Sequence, residues 1–369
     1  MAGSGTTLAV ARALGHRAFG FDTDPLAVLI SRAWCQDIDA KRLRRAAKRV
    51  LRRAQLIATT LRIRDAYPAG ADEETRSFVR YWFGPRNRRE LASLAQAISR
   101  VRDPGLYSLL FCAFSRLIIA KQAGASLALD LAHSRPHKAR RKPKVVRPLT
   151  AFLDQIGRIC AVSPFSTRGA LPRARVSEGD ARDLPLKDGS VDVVITSPPY
   201  VNAIDYQRMT KFSLVWFRVG VKQLRRVRAE NVGTEAAGHS TEMTAAHRLA
   251  LRAMGANSSL PPRTASILAK YVRDMDRVLS EVSRVLTRGG RAVVVIGDST
   301  LGKAEIRNSR ALLVLARTNG LHTVKVRRRK LPPNRRYLPP PRRNTEQLDA
   351  RLRTEVVLHL RKSRERIAV

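Results

Sequence analysis

The sequence predicts an α/β protein built on a mostly parallel sheet with helices on both faces. From residue 150 onward, short β-branched apolar segments alternate with amphipathic helical segments. Strands that are apolar along nearly their whole length are typical of parallel sheets covered on both faces. Glycines, acidic residues and prolines directly follow these strands, at the edge where such sheets bind ligands. The 369 residues are 44% hydrophobic, which is enough to form a substantial core.

The first 34 residues predict a loop, a helix, a strand and the start of a second helix. A glycine-rich segment occupies residues 1–7, and the helical pattern of Leu8–Leu14 ends at Gly15. The apolar segment Ala18–Phe21 is a short strand that ends at Asp22. Pro25 is suited to the first turn of the next helix.

Residues 40–133 predict helices throughout. Apolar residues recur at helical spacing from Leu43 to Ile57, and the opposite face carries basic residues. That basic face could follow a phosphate backbone, or it could simply be a solvated surface. The Tyr81–Phe83 aromatic segment is interpreted as core. Residues 134–148 are rich in Lys, Arg and Pro and are interpreted as a linker or a loop that contacts nucleic acid.

The remaining pattern predicts the helices and strands of the main sheet. Two prolines follow a strand that the pattern predicts to be buried, and a glycine pair is expected to end the longest helix. The predicted helices are Phe152–Ile159, Ile267–Leu286 (before Gly289 and Gly290) and Ala311–Ala316, and the predicted strands are Ala174–Ser177, Val191–Ile195, Ala292–Ile296, Thr323–Val326 and Glu355–Leu360.

Charge and composition narrow the function classes. The formal charge of +40 favours a polyanionic partner, either nucleic acid or an anionic surface, although an Arg- and Ala-rich composition alone would also make the chain basic. No stretch of about 18 apolar residues and no signal region is present, so we expect a cytoplasmic protein without a membrane span. The three separated cysteines form neither a disulfide framework nor a zinc motif, and we expect no metal.

Two acidic residues and the opening glycines indicate a nucleotide-like ligand. Gly3-Ser4-Gly5 before a helix lets a ligand approach free backbone amides. Asp22 could accept hydrogen bonds from ribose hydroxyls, and Asp180 from an adenine amine. Each aspartate could equally be a helix cap or a turn residue.

The segment Thr196-Ser197-Pro198-Pro199-Tyr200 predicts a stiff corner after a strand. Two prolines restrict the backbone and remove two donors. The hydroxyl and carbonyl of Ser197 could then accept hydrogen bonds from an exocyclic amine, while Tyr200 offers a ring for stacking. The alternative is a rigid loop with a packed tyrosine.

Together these motifs resemble the S-adenosylmethionine-dependent amino-methyltransferases of DNA, the N4-cytosine/N6-adenine DNA methylase family. The resemblance covers residues 1–34 and roughly 174–360. It is carried by motifs in chain order: Ala2–Thr7, Gly20–Asp22, Thr196–Tyr200, Val201–Tyr206, Lys211–Trp216, Arg284–Leu286, Gly289-Gly290 and Val294–Ser299.

The resemblance implies a Rossmann-like, seven-stranded and mostly parallel sheet of the class I methyltransferase type. It implies that Ser197, Pro198, Pro199 and Tyr200 hold a base rotated out of duplex DNA, with serine at the first position favouring N4 of cytosine over N6 of adenine. S-adenosyl-L-methionine would be the cofactor. Its binding residues would be Ala2, Gly3, Ser4, Gly5, Thr6, Asp22 and Asp180.

The chain departs from the family at its first strand. In the family a strand ending in an acidic residue and proline precedes the glycine loop, and here Met1 occupies that place. We therefore expect this strand to be missing and cofactor binding to be weak. The predicted domains are 1–34 (start of the methyltransferase domain), 35–133 (helical insertion), 134–150 (basic linker) and 151–369 (catalytic remainder).

Two other functions remain open at this point. An RNA methyltransferase acting on a guanine amine of tRNA would use a similar proline-tyrosine corner and the same cofactor. A catalytically impaired nucleic-acid-binding fragment would account for the charge and the missing strand. The resemblance also leaves open a restriction endonuclease as a partner.

Overall fold

The computed structural model describes residues 1–118, 124–128, 146–162, 172–201, 207–234, 242–256, 260–301, 304–331 and 354–363. The chain divides into two compact units. The helix-rich unit comprises Ala2–Glu178 and Asp205–Arg228. The sheet unit comprises Met1, Gly179–Ile204 and Ala229–Val369.

In the helix-rich unit, two parallel strands and two short helices form the part that begins with the glycines. Strand β1 (Ala18–Asp22) pairs in parallel with β2 (Ala174–Glu178). Helices α1 (Thr6–Ala13) and α2 (Pro25–Trp34) pack against these strands around a small apolar cluster. The buried guanidinium of Arg12 binds the carbonyl of Cys35 and the carboxylate of Asp37, and so fixes α1 to the end of α2.

The other helices of this unit surround one large core. Its centre is an aromatic cluster in which the ring centroid of Phe212 lies 5.3 Å from Trp82 and 5.1 Å from Phe78. Trp82 and Phe83 are buried as predicted, while Tyr81 is 51% exposed. The helices are α3 (Ala40–Thr60), α4 (Glu73–Trp82), α5 (Pro85–Ile98), α6 (Pro104–Ile118), α7 (Pro148–Val162), α8 (Gln207–Leu214) and α9 (Val221–Glu230), with short 3-10 turns at Ile63–Asp65 and Val215–Phe217.

The sheet unit contains a four-stranded sheet in the order β3-β4-β8-β7. Strands β3 and β4 are parallel, and β8 is antiparallel to both of its neighbours, so three of these four strands run in one direction. The strands are β3 (Val191–Thr196), β4 (Leu286–Gly297), β7 (Leu321–Lys330) and β8 (Thr354–Lys362); β5 (Ser299–Leu301) and β6 (Ala304–Ile306) form a hairpin, and the helices are α10 (Ala245–Met254), α11 (Pro262–Val285) and α12 (Asn308–Thr318).

The predicted α/β class with a mostly parallel sheet is confirmed. Each parallel pair, β1–β2 and β3–β4, is joined through helices, as parallel strands require. The seven-stranded sheet implied by the resemblance is not seen. The described strands instead form separate sheets, because none of them pairs with the second edge of β1 or of β3.

Two further details of the sequence prediction are wrong. Strand β3 is not fully buried, since Val193 and Ile195 are 50% and 51% exposed. Gly289 and Gly290 do not end the long helix. Helix α11 already ends at Val285, and the glycines lie within β4, at the register shift in its pairing with β3.

The two units also divide the chain differently from the predicted domains. The predicted helical insertion shares its core with Phe212, Trp216 and Leu224, which come from the catalytic range. The predicted linker lies mostly outside the described residues, and so does the segment 202–206 that contributes to the resemblance. Among the described helices, none combines the length and apolar character needed to cross a membrane.

Candidate functional site

The predicted site residues are divided between the two units. The helix-rich unit contains Ala2–Thr6 and Asp22, and the sheet unit contains Asp180 and the Ser197–Tyr200 corner. Each group is held by hydrogen bonds that determine which of its polar atoms remain available to a ligand.

The opening glycine segment forms a tight loop against the end of β1. The amide of Ala2 donates to the carbonyl of Phe21 at 2.8 Å, and the amide of Gly5 donates to the carbonyl of Ala2 at 3.0 Å. Both Gly3 (φ 55°) and Gly5 (φ 77°) lie in the left-handed region, which glycine adopts without strain. The loop leads into α1, where Gly5 is the N-cap residue and offers no side-chain cap.

Asp22 connects this loop to the start of α2. Its Oδ2 accepts from the amide of Gly3 at 2.9 Å, and its Oδ1 accepts from the amide of Asp24 at 3.0 Å. Because a carboxylate oxygen can accept two hydrogen bonds, each oxygen retains one acceptor site. Asp22 therefore is not the cap of α2; Asp24 has that role and accepts from the amide of Leu26 at 2.8 Å.

The surroundings of the two loop glycines differ. A Cβ added to Gly3 would meet nothing within 4 Å, so the space beside it is open. A Cβ added to Gly5 would lie 2.6 Å from the backbone Cα of Ser31 in α2. The hydroxyl of Ser31 also donates to the carbonyl of Gly3 at 3.2 Å. Gly5 thus allows close packing of α2, while Gly3 faces free space.

Asp180 has a different environment from the one predicted for an adenine-binding residue. Oδ1 accepts from the amide and Nε of Arg182 at 2.8 and 3.1 Å, and Oδ2 accepts from Nε and Nη2 at 3.0 and 2.6 Å. Burial alone would raise the pKa of Asp180, but these hydrogen bonds outweigh it and hold the pKa below its usual range. All of its acceptor sites are in use, and an adenine amine would have to displace Arg182.

The proline corner is fixed by two residues that the sequence pattern did not indicate as site residues. The hydroxyl of Tyr271, on α11, donates to the carbonyl of Pro199 at 3.0 Å. Burial raises the pKa of Tyr271 well above its ordinary value, so the hydroxyl remains a proton donor. The hydroxyl of Tyr200 donates to Oε1 of Glu355, on β8, at 3.2 Å, and the other carboxylate oxygen of Glu355 accepts from Arg329.

Ser197 differs from its neighbours because it is exposed. Pro198 is buried, and Pro199 and Tyr200 are half-buried. In the described part of the chain, the Ser197 hydroxyl has no hydrogen-bond partner. Gly233 (φ 76°) packs against the corner, where an added Cβ would lie 3.1 Å from Cβ of Pro199. The corner is therefore rigid on its buried side and polar on its open side.

The sequence contains a weak indication of each of these partner residues, Tyr271, Glu355 and Arg182. Tyr271 is the one phenol on the apolar face of a long helix, and a buried phenol usually finds an acceptor. Glu355 is the one acidic residue of β8, and Arg182 follows Asp180 at a spacing that permits a local ion pair. None of these signals identifies the partner.

Comparisons with known proteins add little to this geometry. No protein-family model matches the chain, and no curated protein matches it. A solved structure from Thermus thermophilus, provisionally described as a DNA modification methylase and complexed with S-adenosyl-L-methionine, is 20% identical, with a TM-score of 0.27. The match covers 50% of this chain and 51% of that chain, so the chain spans about half the length of that protein.

A second similar structure comes from Methanosarcina mazei and is described as a SAM-dependent methyltransferase. It is 11% identical, covers 57% of this chain and 77% of that chain, and has a TM-score of 0.25. Structural agreement at this level carries no argument about this chain.

We predict that Gly5→Ala destabilises the protein more than Gly3→Ala. Both variants force alanine into the left-handed region, at about 1–2 kcal/mol. Gly5→Ala also drives a methyl group into the backbone of α2, which adds about 1–3 kcal/mol. Urea unfolding of both variants measures the difference, and equal losses of stability would contradict the packing assigned to Gly5.

We also predict that Asp24→Asn stabilises the protein at neutral pH. Burial, with a contribution from Asp22, raises the pKa of Asp24 to about 6. Because the folded-state pKa exceeds the unfolded value, the contribution of Asp24 to stability is most favourable below about pH 4 and is lost as the pH rises toward 6. Above that pH the penalty is roughly 2–4 kcal/mol. Asparagine caps helices equally well and carries no charge.

Urea unfolding at pH 4.5 and pH 7.5 tests this prediction. Asp24→Asn should raise stability at pH 7.5 and have a much smaller effect at pH 4.5. The exposed Asp39, which caps α3 by accepting from the amide of Arg42, is the matched control, and Asp39→Asn should give no such gain. A loss of stability in Asp24→Asn at both pH values would refute the assignment of Asp24 as a buried carboxyl group with a raised pKa.

Proposed function

We propose that this chain is an S-adenosylmethionine-dependent DNA methyltransferase that modifies the exocyclic amine of a base rotated out of the duplex. We favour N4 of cytosine over N6 of adenine, because Ser197 occupies the first position of the motif. The observation that carries the proposal is the exposed hydroxyl of Ser197, unpartnered in the described part of the chain, on a corner whose buried side is fixed.

The glycine loop and Asp22 fit the proposed cofactor. Asp22 keeps one acceptor site on each carboxylate oxygen, which matches the two hydroxyls of a ribose. The open space at Gly3 and the amides at the start of α1 suit a charged, compact group. When bound, S-adenosyl-L-methionine supplies an electrophilic methyl group on a sulfonium. Asp180 could contribute only after releasing Arg182.

The corner residues would orient the amine for a direct displacement. Rotating a base out of the stack costs a few kcal/mol, and the site must recover this through contacts with the base. The hydroxyl and carbonyl of Ser197 would accept the two amine hydrogens, and Tyr200 would stack on the ring. In that arrangement the nitrogen lone pair would face the methyl group that the bound cofactor would supply, and one amine proton would leave to water. Positioning and electrostatics supply the rate, with no covalent enzyme intermediate.

Methyl transfer from tritiated S-adenosyl-L-methionine to duplex DNA tests the proposal, with bulk tRNA as the competing substrate. We expect label in the DNA, and mass spectrometry of the digested nucleosides to show N4-methylcytosine. Ser197→Ala should lower kcat about 100-fold, the effect of removing one preorganised polar contact in an active site. The matched control is Ser190→Ala, because Ser190 is an exposed loop serine whose hydroxyl donates to the backbone carbonyl of Lys187.

The other possible results of this methyl-transfer assay lead to different conclusions about the substrate or the proposal. Label in tRNA alone would replace DNA with RNA as the substrate. No label in either nucleic acid, or equal activity of Ser197→Ala and the unmodified protein, would overturn the proposal.

A further inference from the structure

Helix α3 presents an unusually dense positive surface. The helix contains no acidic residue, and its apolar side is buried in the core of the helix-rich unit. Its exposed basic residues are Lys41, Arg42, Arg44, Arg45, Lys48, Arg49, Arg52 and Arg53. Like charges at this spacing repel one another on a helix, so the surface costs stability unless an anion binds it.

A groove beside α3 adds arginines from a distant part of the sequence. The groove has a volume of about 370 Å³. Its floor is apolar, and its walls carry four exposed arginines, two from α3 and two from the segment between α5 and α6. The four are Arg49, Arg53, Arg100 and Arg102.

The arginines of the groove are available for a ligand. In the described part of the chain, none of the four forms an ion pair or a side-chain hydrogen bond. Asp103 is the one acidic residue among those lining the groove, and it is neutralised by Arg42 at 2.6 Å. Guanidinium groups without carboxylate partners are well suited to bind phosphate oxygens in pairs.

The geometry matches a nucleic-acid backbone. From Lys41 to Arg53 the helix rises about 18 Å, at 1.5 Å per residue. One strand of duplex DNA places a phosphate about every 3.4 Å along its axis, so this length faces about five phosphates. A groove open at the surface, with arginines on both walls, can hold a sugar–phosphate chain.

An anionic membrane surface fits less well. Amphipathic helices bind lipid by inserting a free apolar face between headgroups. The apolar face of α3 is not free, because Leu43, Ala47 and Ala54 are fully buried.

We propose that the groove formed by Arg49, Arg53, Arg100 and Arg102, together with the basic face of α3, binds consecutive backbone phosphates of duplex DNA. The choice of DNA rests on the proposed function, but the phosphate contacts do not require methyl transfer. This surface lies outside the motifs that carry the resemblance. It would hold the duplex without reading its sequence, since phosphate contacts position a protein and base contacts specify the site.

The test is the salt dependence of binding to a fluorescein-labelled 30-base-pair duplex, measured by anisotropy without S-adenosyl-L-methionine. A variant with all four arginines changed to glutamine is compared with the unmodified full chain. Each lost phosphate contact should reduce the slope of log K against log salt by about 0.9, so we expect a slope shallower by roughly 3 to 4. Changing the same four residues to lysine should largely retain the slope, because lysine preserves the charge.

The matched control removes the same charge from the sheet unit. It changes Arg248, Arg252, Arg310 and Arg317, which are exposed on α10 and α12, to glutamine. We expect the control to alter the slope by less than about 1, and all variants to retain the melting temperature within a few degrees. An equal slope change in the groove variant and the control would overturn the inference, and so would an unchanged slope in the groove variant. Loss of binding to phosphatidylserine vesicles without loss of DNA binding would also overturn it.

The failure of this inference is distinguishable from failure of the proposed function. If the unmodified protein methylates DNA and the groove variant keeps its slope, only the groove assignment fails. If no methylation occurs but the groove variant loses its salt dependence, the phosphate-binding surface stands and the methyltransferase proposal fails.

Discussion

The hydrogen bonds accepted by Asp22 are the constraint on which the glycine loop depends. One carboxylate joins the end of β1, the amide of Gly3 and the amide of Asp24 at the start of α2. These bonds hold a loop that no side chain caps, because the N-cap of α1 is a glycine. The same carboxylate keeps two acceptor sites unused. Its structural role and its proposed ligand-binding role are therefore compatible, since they use different lone pairs.

The proline corner likewise combines polar groups that are held by hydrogen bonds with one hydroxyl that has no partner in the described part of the chain. Buried partners, Tyr271 for Pro199 and Glu355 for Tyr200, satisfy the polar atoms on its inner side. The serine hydroxyl on its outer side is left available. In the proposed function, a corner whose backbone is already held contributes because it need not be reoriented during the reaction. Asp180 illustrates the opposite case, since Arg182 occupies every acceptor site on its carboxylate.

Much of the secondary structure could be predicted from sequence, because the signals are local. The apolar run at Ala18–Phe21 and the helical spacing from Leu43 to Ile57 both correspond to observed elements. The exposure of Val193 and Ile195 could not be predicted in this way. A β-branched apolar strand indicates a buried strand only when other elements cover both of its faces, and sequence periodicity does not show which elements are present.

Part of the candidate site could also be predicted, because some of its residues lie in short motifs that are visible in the sequence. The glycines, Asp22 and Ser197–Tyr200 lie in short motifs, whereas Tyr271 and Glu355 meet the corner only through the fold, 72 and 155 residues from their partners. The arginine groove is a similar case. The basic face of α3 is visible in the sequence, but Arg100 and Arg102 join it only because the end of α5 packs beside α3.

The most direct measurement of the central claim is the affinity of S-adenosyl-L-homocysteine for the full chain, measured by isothermal titration up to millimolar ligand. The unmodified protein and Asp154→Asn, which removes an exposed carboxylate on α7, should bind equally. Asp22→Asn should bind at least about ten-fold more weakly, because an amide nitrogen would face the amide of Gly3 and one acceptor would be lost. Equal affinity in all three proteins would contradict the role assigned to Asp22.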